Sequence, residues 1–139
     1  MKLLIVDDEK RIRELIVKYA LFEGYECGEA ENGMQAVEIE RAQTFDLIIM
    51  DVNMPVMDGL TATRIIRDGV GNNAETPIVV LSASARTEDH EAGLNAGADA
   101  YLNKPIDFSA LAALMGRVGG GREAVAQMAQ APSQASVAA

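Results

Sequence analysis

Five times along this chain a short apolar run gives way to a stretch with helical spacing, and few folds accept that alternation. Lys2-Leu3-Leu4-Ile5-Val6, Leu47-Ile48-Ile49-Met50 and Pro77-Ile78-Val79-Val80-Leu81 are nearly unbroken apolar runs. Continuous rather than alternating apolar residues mark strands buried on both faces, as in a parallel sheet. Two weaker runs, residues 25–30 and 99–103, complete five predicted strands. Ile12, Leu15, Ile16, Tyr19 and Ala20 recur at helical spacing after the first strand, and Gly24 stops that helix. Residues 34–42, 59–68 and 87–96 read as further helices. Asp107 is placed to cap a last one carrying Leu111, Leu114, Met115 and Val118. Asn32-Gly33 reads as a turn and no more. Each crossover has helix length, so the strands should run parallel with right-handed connections. The pattern predicts a doubly wound α/β sandwich with a five-stranded parallel sheet over residues 1–118. Gly119-Gly120-Gly121 then breaks any helix, and the Ala-, Gln- and Ser-rich remainder predicts a flexible tail over residues 119–139, whose alanines could support a transient helix over Glu123 to Ala129 without a packed core.

Composition narrows the function. A net charge of −9 argues against nucleic acid, whose phosphates such a surface repels. Cys27 is the only cysteine, so no internal disulfide forms and a reducing compartment is expected. His90 is the only histidine, on a polar helix, where a solvated side chain is the simple expectation. No apolar run reaches membrane-spanning length and no signal peptide precedes the first strand, which predicts a cytoplasmic protein.

Chemistry concentrates where the strands stop. The first ends in Asp7-Asp8, the third in Asp51, the fourth in Ser82 and the fifth in Lys104. The carboxyl ends of parallel strands share one edge, where open α/β sheets place their sites. Three converging carboxylates repel one another, and either a bound divalent cation or raised pKa values would offset that. Oxygen-only donors favour a hard ion, Mg²⁺ or Mn²⁺. A metal beside Asp51, with a hydroxyl and an ammonium opposite, is equipped to handle a phosphoryl group with Asp51 as nucleophile. Taken singly, Asp8 reads as a helix cap, Ser82 as a strand-end hydroxyl and Lys104 as a solvated lysine. Their joint occurrence, each at the end of a strand, favours a site.

Val6-Asp7-Asp8-Glu9, Met50-Asp51-Val52-Asn53-Met54-Pro55, Met57-Asp58-Gly59, Leu81-Ser82-Ala83 and the run from Gly97 to Lys104-Pro105 resemble the receiver domain of two-component response regulators. The resemblance covers residues 1–118. It implies a flavodoxin-like (βα)5 fold with strand order 2-1-3-4-5. It implies that Asp51 accepts a phosphoryl group from a histidine kinase or a histidine phosphotransfer protein. Asp8, Asp51 and the Asn53 backbone carbonyl would bind Mg²⁺, with Asp7 acting through water. Lys104 would hold a phosphoryl oxygen, and its bond to Pro105 is expected to be cis. Ser82 and Tyr101 would switch a docking surface for a downstream protein, and Asn53 and Ser84 would tune the lifetime of the phosphoryl group. Ile12, Leu15 and Pro105 are expected to meet the donor. Such a module catalyses its own phosphorylation and dephosphorylation and is not a turnover enzyme on an external substrate.

Two other classes fit less well. A phosphatase of the haloacid dehalogenase type needs a second acid two residues after its nucleophile, where Asn53 stands. A flavodoxin needs a small hydroxylated loop after the first strand, and Asp7-Asp8-Glu9 would repel its phosphate.

Overall fold

The computed structural model describes residues 1–69, 71–83 and 86–127. Five parallel strands, β1 (Lys2–Val6), β2 (Glu26–Ala30), β3 (Leu47–Asp51), β4 (Ile78–Ser82) and β5 (Ala100–Asn103), form one sheet in the order β2-β1-β3-β4-β5. The helices are α1 (Lys10–Phe22), α2 (Gly33–Ala42), α3 (Gly59–Arg67), α4 (Thr87–Ala96) and α5 (Phe108–Met115). This is the flavodoxin-like topology expected from the sequence.

The strands are apolar throughout because both sheet faces are covered. Leu3, Ile5, Leu47, Ile49, Val79 and Leu81 pack on one face with Ile16 and Ala20 of α1 and Leu111 and Leu114 of α5. The alternate residues Leu4, Val6, Ile48, Met50, Ile78 and Val80 pack on the other with α2 and α3, through Ala36, Val37, Ala62 and Ile66. Two-residue alternation along each strand sends successive side chains to these two cores. In the register Val6 lies beside Met50, Asp51 beside Leu81, and Ser82 beside Asn103. The polar strand ends therefore line up on one edge.

Leu15 is 50% exposed, and the buried positions of α1 are Arg13, Ile16 and Ala20. Several local expectations are corrected. Asp8 does not cap α1: the capping position is Glu9, whose side chain makes no capping bond. Asn32-Gly33 does more than turn the chain, since the Asn32 side chain accepts from the Gln35 N–H and starts α2. The last helix stops at Met115 rather than reaching Val118, which is buried instead through the 3-10 turn Val118–Gly120. The expected tail does not begin at Gly119. Residues 121–127 are helical, Val125 is fully buried in the α1–α5 core, and Arg122 pairs with Asp99 and Glu75. A single valine and a single arginine among small residues suffice to dock this segment, a signal too sparse for periodicity to register. The rest of the predicted tail, residues 128–139, lies outside the described residues.

Candidate functional site

Asp51 is the last residue of β3 and is buried, with its carboxylate at the edge where β1, β4 and β5 also end. Asp7 follows β1 and is fully buried; its Oδ1 accepts from the Glu9 N–H at 2.9 Å. Asp8 beside it is exposed. Carboxylate oxygens of Asp7, Asp8 and Asp51 lie within 4.8 Å of one another. Lys104 reaches in from the end of β5, its Nζ 3.0 Å from Asp7 Oδ2 and 3.2 Å from Asp51 Oδ1, with Glu9 Oε1 farther off at 3.7 Å. The Lys104–Pro105 bond is cis. The structure thus gathers Asp7, Asp8, Asp51 and Lys104 into one cluster. Ser82, the fifth, is buried at the end of β4, and its carbonyl accepts the Lys104 N–H at 2.8 Å.

The electrostatics follow from this crowding. Burial foremost, and then the charge of Asp7, push the Asp51 carboxyl up to about 7, and the Lys104 ammonium only partly opposes them. Burial would lower the Lys104 ammonium, but the hydrogen bond to Asp7 and the charge of Asp51 outweigh it and raise it. One ammonium thus faces three carboxylates. Asp7 Oδ2 is buried, with the Lys104 ammonium 3.0 Å away as its partner. A cluster of oxygen donors with surplus negative charge fits a hard divalent cation. It does not fit zinc, which prefers nitrogen and sulfur donors.

The loop between β3 and α3 closes over Asp51 by a close backbone approach. The Gly59 N–H donates to the Val52 carbonyl at 2.9 Å, and a Cβ on Gly59 would collide with the Asp51 carbonyl. Only glycine fits there. Asn53 lies in this loop and is exposed. Ser84 lies outside the described residues.

Two contacts at the site were not legible in the sequence. Arg13, buried on α1, donates from Nη1 to the Asp7 carbonyl at 2.8 Å and from Nε to Glu29 at 3.1 Å, pinning the acidic turn to β2. His90 is not merely solvated. Its ring stacks on Tyr101 with centroids 3.8 Å apart and an 18° tilt, and its Nε2 lies 2.9 Å from Asn103 Oδ1. Polar character alone gave no signal for either, because both contacts join different elements. Of the residues expected to meet a donor, Ile12 is half-buried, and Leu15 and Pro105 are exposed. Beside them a shallow apolar groove of about 320 Å³ is lined by Leu15, Lys18, Tyr19, Phe22 and Phe108.

Comparison with known proteins adds to this geometry. Residues 3–116 match the family described as the response regulator receiver domain. A curated relative, hybrid signal transduction histidine kinase G of Dictyostelium discoideum, is 40% identical over 121 residues, 86% of this chain but 4% of the kinase. The receiver domain of sensor histidine kinase PA1611 from Pseudomonas aeruginosa superposes with a TM-score of 0.78 at 35% identity, covering 85% of this chain and 97% of that one. That structure holds a magnesium ion in its active-site cleft. The receiver domain of Ssk1 from Saccharomyces cerevisiae, crystallised with the histidine phosphotransfer protein Ypd1, gives a TM-score of 0.80 at 29% identity, over 86% of this chain and 88% of that one.

Proposed function

The chain belongs to the response regulator receiver domain family, and on that premise we propose that it accepts a phosphoryl group on Asp51 from a phosphohistidine of a histidine kinase or phosphotransfer protein. The observation that carries this reading is Asp51 itself: a buried strand-end carboxylate 3.2 Å from the Lys104 ammonium, in one cluster with Asp7 and Asp8. The Ssk1–Ypd1 complex and the hybrid kinase relative support a phosphohistidine donor, and the magnesium in the PA1611 receiver supports a metal-assisted site.

Asp8, Asp51 and the Asn53 carbonyl would hold Mg²⁺, with Mn²⁺ as a substitute, and Asp7 would act through water. The bound ion would neutralise charge on the phosphoryl oxygens and on the carboxylates. Asp51 attacks phosphorus through a carboxylate oxygen, in line with the departing imidazole nitrogen. The P–N bond breaks, its electron pair stays on the imidazole, and an acyl phosphate forms on Asp51. Lys104, 3.2 Å from Asp51 Oδ1, would neutralise a phosphoryl oxygen once Asp51 is phosphorylated and its own ion pair is lost. Hydrolysis of the acyl phosphate at the same site resets the chain, which makes it a self-resetting signalling module rather than an enzyme on an external substrate.

Ser82 and Tyr101 would report the event. The acyl phosphate offers acceptor oxygens to a Ser82 hydroxyl at the neighbouring strand end, and Tyr101 on β5 would move with it. A bias of a few kcal/mol suffices to shift such an equilibrium. The surface so altered would serve a downstream protein target. Among the described residues no helix is long and apolar enough to cross a membrane. The acidic charge disfavours nucleic acid, and we place the protein in the cytoplasm.

Incubation with acetyl phosphate and Mg²⁺, followed by borohydride trapping and mass spectrometry, tests the assignment. The adduct should map to Asp51, and Asp51→Asn should abolish it. Ser82→Ala should still accept phosphate but lose any phosphorylation-dependent change at Tyr101. A stable adduct on Ser82 or His90, or undiminished labelling of Asp51→Asn, would overturn it.

A further inference from the structure

The loop between β3 and α3 is clasped from outside by the start of α2. Gly33, the first residue of α2, donates its N–H to the Met57 carbonyl at 3.0 Å. A Cβ at Gly33 would lie 2.5 Å from that oxygen and 3.0 Å from both the Asp58 carbonyl oxygen and Met57 Cγ. Two of these three neighbours are backbone atoms, which have little freedom to retreat. Gly33 is not among the glycines with positive φ, so the requirement here is for space rather than for an unusual conformation.

The loop it clasps is strained. The Met57 N–H donates to the Pro55 carbonyl at 2.8 Å across Val56, whose φ is 70°. A β-branched residue in a three-residue turn of this hand is an outlier that persists only when its surroundings enforce it. The Val56 side chain is 79% exposed, so it does not enforce the turn by packing. The enforcement comes from the flanks. On one side Gly59 donates to the Val52 carbonyl, and Asp58 accepts the Thr61 N–H at 2.8 Å. In the middle, Met57 is tied to Gly33. Asn53 lies on the stretch between these ties and Asp51.

We propose that Gly33 is a positioning residue for the metal site: by its hydrogen bond to Met57 and its missing Cβ it keeps the strained β3–α3 loop in the form that presents the Asn53 carbonyl beside Asp8 and Asp51. This role rests on the metal reading given under Proposed function. Gly33 touches neither metal nor phosphoryl group and acts through the loop. Coupling of this kind is reciprocal, so metal binding should also tighten the Gly33–Met57 bond.

Mn²⁺ binding, followed by electron paramagnetic resonance on the full chain, tests the proposal without any phosphoryl donor. Gly33→Ala should weaken Mn²⁺ by at least about tenfold. Val125→Ala, a core truncation away from the loop, should lower the melting temperature and leave the Mn²⁺ affinity unchanged. Amide hydrogen exchange on the wild-type chain supplies a second readout should Gly33→Ala fail to fold. Saturating Mg²⁺ should slow exchange at the Gly33 N–H more than at amides in the middle of α5. A Gly33→Ala chain that binds Mn²⁺ as tightly as wild type, or a Gly33 amide indifferent to Mg²⁺ in a chain that binds it, would overturn the positioning role alone. Wild-type protein that binds no divalent ion would overturn the metal reading and this role with it.

Discussion

At the scale of single residues, the central fact is the cost of ionising Asp51. Burial and the charge of Asp7 raise its carboxyl from 3.8 to about 7, against the partial opposition of Lys104. A carboxyl raised in the folded state binds its proton more tightly folded than unfolded. Its contribution to stability is therefore fully present below about 3.8 and is lost as the pH rises through about 7. In a chelator, Asp51→Asn should melt above wild type at pH 8, and the difference should shrink as the pH falls toward 5; a difference constant across that range would show that Asp51 ionises without penalty. Legibility at this scale divides cleanly. Asp7, Asp8, Asp51 and Lys104 could be read because each terminates an apolar run, and parallel strands put those ends together. Arg13, His90 and the Glu40–Asn73 pair could not. Their contacts depend on how each helix is turned about its own axis and on which loop lies beneath it. Buried Asn73 accepts from the Phe45 N–H at 2.7 Å and donates to the Glu40 carbonyl at 2.8 Å, between α3 and β4.

At the scale of elements, α1 shows why helical spacing underdetermines a face. Ile12, Leu15, Ile16, Tyr19 and Ala20 make a stripe wider than the core can cover, so the stripe is split. Ile16 and Ala20 are buried under the sheet, whereas Leu15 turns outward, and Phe22 at the end of the helix is 86% exposed. With Phe108 of α5 these residues form an apolar groove along α1. Isolated exposed apolar side chains need no explanation, but a groove lined by two phenylalanines and a leucine suits a partner's apolar anchor. Leu15→Ala and Ile12→Ala should slow phosphoryl transfer from a phosphohistidine protein by about fivefold or more, the effect of losing a contact worth over about 1 kcal/mol. Reaction with acetyl phosphate should be unaffected, because a small donor needs no docking surface. Equal losses with both donors would mean that α1 matters for folding rather than for recognition.

At the scale of the whole molecule, the two edges of the sheet have different tasks. The carboxyl edge gathers surplus negative charge for chemistry. The amino edge gathers ions that satisfy one another. Asp99, just before β5, accepts the Ile78 N–H at 2.9 Å and pairs with Arg67 at 2.7 Å and Arg122 at 2.9 Å. Arg67 donates also to the carbonyls of Gly97, Ala74 and Thr76, and Arg122 reaches Glu75 at 2.9 Å. Arg122 belongs to the segment expected to be a free tail, and it joins that segment to the starts of β4 and β5. Val125, three residues on, fills the core between α1 and α5. Burying one valine contributes about 1.5–3 kcal/mol. The Arg122 pairs are partly exposed and contribute less, because solvent screens them. A shift of 1 kcal/mol moves the melting temperature by roughly 4 °C in a domain of this size. A chain ending at residue 118 should therefore melt roughly 6–12 °C below one ending at residue 127, and Val125→Ala within the longer chain should reproduce much of that deficit. The comparison of two truncations isolates residues 119–127 from everything after them. Equal melting temperatures for the two would return this segment to the status of a tail and place the end of the folded domain at Val118.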